Sequence, residues 1–193
     1  MRLILASSNK GKAKEIAALL KPIEVITYCE LIPPIAIDEN GESFKTNALI
    51  KARAVFEALG DPVARVISDD SGIVAPILGE GVPGVFSARY AGQNASDREN
   101  RDKLINEVRK RGVDRTKAYY KAAIALKTAE GEWTASGRLD GEIIVTPRGS
   151  NGFGYDPIFI PAGFSQTLGE LPDEVKAAIS HRAKALEKIK CVL

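Results

Sequence analysis

The chain has 193 residues, with 27 basic and 25 acidic side chains and a formal net charge of +2. That length favours one domain and allows roughly 70% of the unfolded chain's surface to be buried, so no disulfide or zinc staple is needed. The small charge argues against bulk binding to nucleic acid or to an anionic membrane. The longest uncharged run, Pro157 to Gly169, has 13 residues and is broken by Pro161 and Gly163. A membrane span needs about 20 apolar residues. Leu3 to Ala6 is too short for the core of a signal peptide. Cys29 and Cys191 show no CxxC spacing, and His181 is the single histidine. A zinc ribbon and a multi-histidine metal site within one chain are thereby excluded, and a disulfide scaffold is disfavoured. The expectation is a cytoplasmic protein with reduced thiols.

In chain order, Arg2 to Ser7 reads as a short buried strand. A helix follows to about Leu20, capped by Ser8 or Asn9 and stopped by Pro22. Glu24 to Tyr28 suits a second strand, and Leu31 to Asn40, with Pro33-Pro34, is a loop. Ser43 caps a helix that Gly60 and Pro62 terminate after Leu59. Val63 to Ser68 predicts a strand, followed by a turn at Asp69-Asp70-Ser71-Gly72. A long Gly/Pro-marked stretch runs to Gly92, and loops of that length are usually functional. Ser96-Asp97-Arg98-Glu99 is a capping box for a helix ending at Gly112. The nine basic and four acidic residues from Arg98 to Lys121 read as a solvated face. Thr116 to Thr128 and Glu132 to Ser136 predict a hairpin, and Glu142 to Thr146 a separate strand. The tail from Pro172 is helical in two pieces, with Ser180 between them. Early α/β alternation and late hairpins predict an α/β fold with a mixed sheet. Its antiparallel part forms a second lobe, leaving a cleft for a ligand.

Four constellations carry chemistry. Ser7-Ser8-Asn9-Lys10-Gly11-Lys12 joins a strand to a helix N-terminus, where unpaired N–H groups and lysines suit phosphate; the Walker sequence is absent. Asp69-Asp70 precedes Ser71-Gly72, and two adjacent carboxylates are costly to bury without a cation. Mg²⁺ takes one or two carboxylates together with substrate phosphates. Asp38-Glu39 offers a further ligand from another segment. Gly152-Phe153-Gly154-Tyr155-Asp156 sets an aromatic ring between glycines, able to stack on a base. Lys176 and Ser180-His181-Arg182 supply donors.

Together these motifs resemble the inosine/xanthosine triphosphate pyrophosphatase family along nearly the whole chain. The segments that carry the resemblance are Leu5 to Lys12, Phe44 to Ala52, Asp69 to Gly72, Pro83 to Gly92, Gly152 to Pro157 and Ile179 to Arg182. The resemblance implies one ITPase-like domain over residues 1–193, an elongated mixed sheet with flanking helices and two lobes around a central nucleotide cleft. It implies hydrolysis of ITP, dITP and XTP to monophosphate and pyrophosphate, removing deaminated purines from the nucleotide pool. One or more Mg²⁺ ions per subunit and a homodimer are implied as well.

The family's phosphate loop maps to Ser7 through Lys12, and its catalytic aspartate to Asp70, with Ser71 beside the substrate. Asn47 and Lys51 match positions facing the triphosphate. The base-binding run maps to Phe153, Gly154, Tyr155, Asp156, Lys176, His181 and Arg182. The metal set drawn from the acidic segments is Asp38 or Glu39 with Asp69 and Asp70. Ser7-Ser8 stands where the family more often has Thr-Gly or Thr-Ser, and Asp38-Glu39 where it often has Glu-Glu. In the expected reaction Asp70 takes a proton from water attacking the α-phosphorus, while Lys10, Lys12 and Lys51 stabilise the departing pyrophosphate. Arg182 would favour bases that present an O6 acceptor.

Overall fold

The computed structural model describes residues 2–193. Six strands form one mixed sheet in the order β2-β1-β3-β4-β5-β6. β1 (Arg2–Leu5), β2 (Glu24–Thr27) and β3 (Val66–Val74) are parallel, with Leu5 opposite both Thr27 and Ile67. β6 (Phe159–Pro161) is antiparallel to β5 (Glu132–Ile144), and β4 (Arg115–Lys127) lies between β3 and β5. The helices are α1 (Lys10–Leu19), α2 (Phe44–Leu59), α3 (Asp97–Lys110), α4 (Asp173–Ile179) and α5 (His181–Ile189). This is the α/β class expected. Among the described residues no helix is long and apolar enough to cross a membrane.

The chain divides into two compact units. Among the described residues the first holds 2–70, 122–137 and 181–193. Its core joins Leu3 and Leu5 of β1, Ile16 of α1 with Leu20 after it, Ile67 of β3, Ala122, Ile124 and Leu126 of β4 and Ala185, Leu186 and Ile189 of α5. β1, α1 and β2 form a parallel βαβ unit, whose crossover places α1 on the sheet. Asn9 caps α1 by accepting from the Lys12 amide at 3.0 Å, and Ser43 caps α2 by accepting from Thr46 at 3.1 Å. Gly60, at φ 61°, ends α2 in the left-handed conformation that glycine tolerates.

The second unit holds residues 71–121 and 138–180. Its core gathers Ile73, Leu104, Val108, Tyr120, Ile143, Ile158 and Phe159, with the Tyr120 and Phe159 rings edge to face at 4.8 Å. The capping box at α3 forms as its spacing predicts, with Ser96 and Glu99 exchanging hydrogen bonds.

Two local expectations are corrected. Asp69-Asp70-Ser71-Gly72 is no turn, since β3 runs through it to Val74. Turn-forming residues continue as strand here because both carboxylates find cations and because Gly72 serves packing. A β-carbon on Gly72 would overlap Ser87 Oγ and lie 2.5 Å from the Gly84 carbonyl oxygen. The separate strand at Glu142 belongs to the 13-residue β5. Gly137 and Gly141, which look like breaks, are close-approach sites instead. A β-carbon on Gly137 would lie 2.6 Å from the Ala185 amide of α5, and one on Gly141 2.7 Å from the Phe159 ring. β6, only three residues long, has no alternation to announce it.

Candidate active site

The first unit places its polar side chains at the carboxyl end of β1, where open α/β sheets hold ligands. β1 ends at Leu5, and Ser7-Ser8-Asn9 turns the chain into α1. Ser7 Oγ accepts from the Asn9 amide at 3.2 Å, and Ser8, Asn9 and Lys10 are exposed. The start of α1, ahead of the capped Lys12 amide, therefore lies at exposed residues beside two lysines, an arrangement suited to an anion.

Register brings β3 to the same place. Leu5 pairs with Ile67, so Asp69 follows two residues on, past the end of β1. Successive strand residues point to opposite faces, and this separates the two carboxylates. Asp69 shares its face with Ile67, on the side of α1 and α5. Its Oδ2 accepts from Lys12 Nζ at 2.9 Å and sits 3.3 Å from Arg182 Nε. Arg182 also donates to Glu15 Oε2 at 2.8 Å. Asp70 shares its face with Ser68, whose hydroxyl donates to the Ala48 carbonyl of α2 at 2.5 Å. There Lys51 Nζ lies 3.0 Å from Asp70 Oδ1 and 2.9 Å from Glu39 Oε2. Asn47, buried one turn before Lys51, accepts from the Gly41 amide at 2.8 Å. This hydrogen bond ties the loop after Glu39 to α2.

The two aspartates differ in their proton affinity. Burial alone would raise Asp69, but the charges of Arg182 and Lys12 overwhelm it and hold this carboxyl far below the usual range. At Asp70 burial prevails over the opposing charges of Lys51 and Lys12, and the carboxyl is pushed up. Burial lowers Lys51, yet Asp70 and Glu39 more than compensate and its ammonium is held charged. The two adjacent acids are thus driven in opposite directions, Asp69 held as a fixed anion and Asp70 more readily protonated.

The residues also fit a divalent cation. Asp70 Oδ2 is buried with no hydrogen-bond partner among the described residues. The Lys51 ammonium bridges Asp70 to Glu39. Asp38 is exposed and accepts from Asn40 at 3.1 Å, so of the acidic pair Glu39 is the one joined to Asp70. Among the described residues no cluster of three or more His, Cys, Asp or Glu side chains could form an all-protein metal cage. Such a donor set suits Mg²⁺, which binds through one or two carboxylates plus substrate phosphates.

In the second unit, Gly152 to Asp156 forms a tight loop. Asp156 Oδ2 accepts from the Phe153 amide at 3.0 Å and from Lys176 Nζ at 2.7 Å, and Tyr120 donates to Oδ1 at 3.3 Å. Lys176 Nζ sits 4.6 Å from the centre of the Phe153 ring. Gly152 takes φ 74°, and a β-carbon there would collide with the Asp156 carboxylate. Tyr155 donates to the Ser87 carbonyl at 2.7 Å, and burial raises its hydroxyl pKa.

Of the residues singled out in the sequence, Ser7 through Lys12, Asn47, Lys51, Asp69 and Asp70 gather with Glu39 in the first unit. Phe153, Asp156 and Lys176 gather in the second. Ser71 is half-buried in β3, and His181 is buried at the start of α5. Arg182, expected with the base-binding run, is joined to Asp69 and Glu15. Sequence reasoning did not single out Glu15. Its one signal is the three-residue spacing from Lys12, which puts both on one face of α1. Arg101, read as part of a solvated surface, instead donates to the Gly154 carbonyl at 3.0 Å.

Residues 3–192 match the sequence model of the Ham1 family. A dITP/XTP pyrophosphatase from Nautilia profundicola is 55% identical over 187 residues, covering 97% of this chain and 94% of that protein. One from Sulfurimonas denitrificans is 53% identical, covering 100% of this chain and 98% of that protein. Among solved structures, a HAM1 protein from Coxiella burnetii superimposes with a TM-score of 0.86 at 38% identity, covering 100% of this chain and 98% of that one. The β3 carboxylate pair and the lysine-bearing α1 turn thus sit in a chain matched over almost its whole length, and the chain belongs to the Ham1 family.

Proposed function

We propose that this protein hydrolyses non-standard purine nucleoside triphosphates (dITP, ITP and XTP) to the monophosphate and pyrophosphate. The observation that carries the reading is the division of Asp69 from Asp70 across β3, at the end of β1 where α1 offers its amides. The relatives' activity supports it.

Charge shows why a metal belongs to the proposal. The first-unit cluster sets three cations, Lys12, Lys51 and Arg182, against four carboxylates, Glu15, Glu39, Asp69 and Asp70. A triphosphate adds about four further negative charges, which this cluster alone does not offset. Glu39 and Asp70 are the residues that would hold Mg²⁺. When bound, the ion supplies Lewis-acid polarisation of the phosphate oxygens and a lowered pKa for its water. The chain's own groups do the rest. The α1 amides and Lys10 bind phosphate oxygens, Lys51 orients Asp70, and Asp70 accepts the proton of the attacking water. Lys12 is engaged with Asp69, so it fixes the strand end as well as contributing positive potential.

Phe153, Asp156 and Lys176 are the proposed readers of the base, the ring by stacking and the charged pair by hydrogen bonding. The homodimer and the cytoplasmic setting that the resemblance implies are part of the same reading; a solution mass equal to one chain would remove the former. The central experiment measures pyrophosphate release from dITP, ITP, XTP, ATP and GTP, with Mg²⁺ and with EDTA. Metal-dependent turnover of the first three, with little of the last two, is expected. Turnover of ATP and GTP at equal rates, or of none, overturns the proposal.

A further inference from the structure

Both backbone hydrogen-bonding groups of Gly154 are taken by one helix. Its amide donates to Asp97 Oδ2 at 2.8 Å, and its carbonyl accepts from Arg101 Nη1 at 3.0 Å. Asp97 and Arg101 are four residues apart at the start of α3, hence on one face. Gly154 is the residue after Phe153 and takes φ 61°, a left-handed conformation open to glycine. On the other side the Phe153 amide is held by Asp156. The Phe153 ring is therefore suspended between two anchors. One is internal to the loop, and the other is an acid–base pair on α3.

The same helix is itself secured to its surroundings. Asn100, buried between Asp97 and Arg101, accepts from the Ala91 amide at 2.8 Å and donates to the Ala88 carbonyl at 3.1 Å. Lys103 donates to the Tyr90 carbonyl at 2.6 Å and lies 4.5 Å from its ring. Tyr155 returns to the same segment through Ser87. A loop gripped on both peptide groups by a helix so fixed has little freedom to shift its aromatic ring.

We propose that Asp97 and Arg101 are positioning residues for the Phe153 loop and set the affinity with which the base is held. This rests on the reading of Phe153 as a base-stacking group. Neither side chain needs to touch substrate. Asp97 supplies a charged acceptor and Arg101 a charged donor to the two peptide units that flank Gly154, and such bonds are roughly twice as strong as neutral ones. Loss of either lets the ring sample positions that do not stack. Binding then weakens in ground state and transition state alike, which raises KM and leaves kcat in place.

The test uses the full-length protein with Mg²⁺ and dITP, XTP and GTP. Asp97→Ala and Arg101→Ala are each expected to raise KM for dITP and XTP about tenfold, with kcat within about twofold of the parent. Asp97→Asn, which keeps an acceptor oxygen, is expected to recover most of the affinity; a helix-stability effect alone would not follow the acceptor. Hydrogen exchange at the Gly154 amide is expected to quicken in Asp97→Ala and not in Asp97→Asn. Unchanged KM in both alanine variants, beside an active parent, overturns the positioning role and leaves the proposed function standing. A parent inactive on dITP and XTP overturns both.

Discussion

Asn in place of Asp70 keeps the side chain's shape and its contact with Lys51 but removes the proton acceptor. Turnover of dITP is expected to fall by about 10²- to 10⁴-fold, as steady-state kinetics would show. Asn in place of Asp69 has a different consequence. It leaves Lys12 and the buried Arg182 without their shared anion, and breaking a buried ion pair from one side costs about 3–5 kcal/mol. The expected phenotype is a lowered urea midpoint. The pH dependence follows the sign of the shift. Asp69 is depressed in the folded state, so its stabilisation is present above the unfolded value of about 3.9 and is lost as pH falls through the acid range below it. Asp69→Asn is therefore expected to flatten the acid limb of the stability curve, measured by urea unfolding between about pH 2 and about pH 5, which spans the unfolded value and the range below it. The Asp69-Asp70 pair was legible as chemistry from the sequence alone. Which cations each carboxylate meets was not, because that depends on the groups that β3's alternation presents to each face.

At the scale of elements, the strongest local signals were caps. Asn9, Ser43 and the Ser96–Glu99 box all form as their spacing predicts, because a cap needs only the few residues around it. Glycines were harder to read. Gly72, Gly137 and Gly141 look like turns in sequence and are contact points within strands. What separates the two uses is the neighbour that approaches, and that neighbour is remote in sequence. Gly72→Ala tests this. Its methyl would collide with Ser87 Oγ and the Gly84 carbonyl, and overpacking of this kind costs about 1–3 kcal/mol. Urea unfolding should register that loss. A substitution without effect would mean the 84–89 segment yields readily.

At the scale of the whole molecule, each unit has its own apolar cluster, and the two clusters share no residue. β3, β4 and β5 each give residues to both units. Ile16→Val in the first cluster and Ile143→Val in the second should each cost about 0.5–1.5 kcal/mol. Without shared partners the losses should add to within about 0.5 kcal/mol in the double variant. Strand continuity predicts one unfolding transition for all three, and two separated transitions in a urea titration would refute it. The sequence by itself determined the α/β class, the helix starts and stops, and the residue types of a phosphate loop, an acidic pair and an aromatic loop. Those depend on periodicity, caps and side-chain chemistry over short spans. Only the tertiary structure decided that Glu39 rather than Asp38 joins Asp70 through Lys51, that Arg182 is bound to Asp69 and Glu15, and that α3 grips Gly154. Each of those pairs contacts across segments far apart in the chain, where register, strand face and helix placement, not local spacing, set which groups meet.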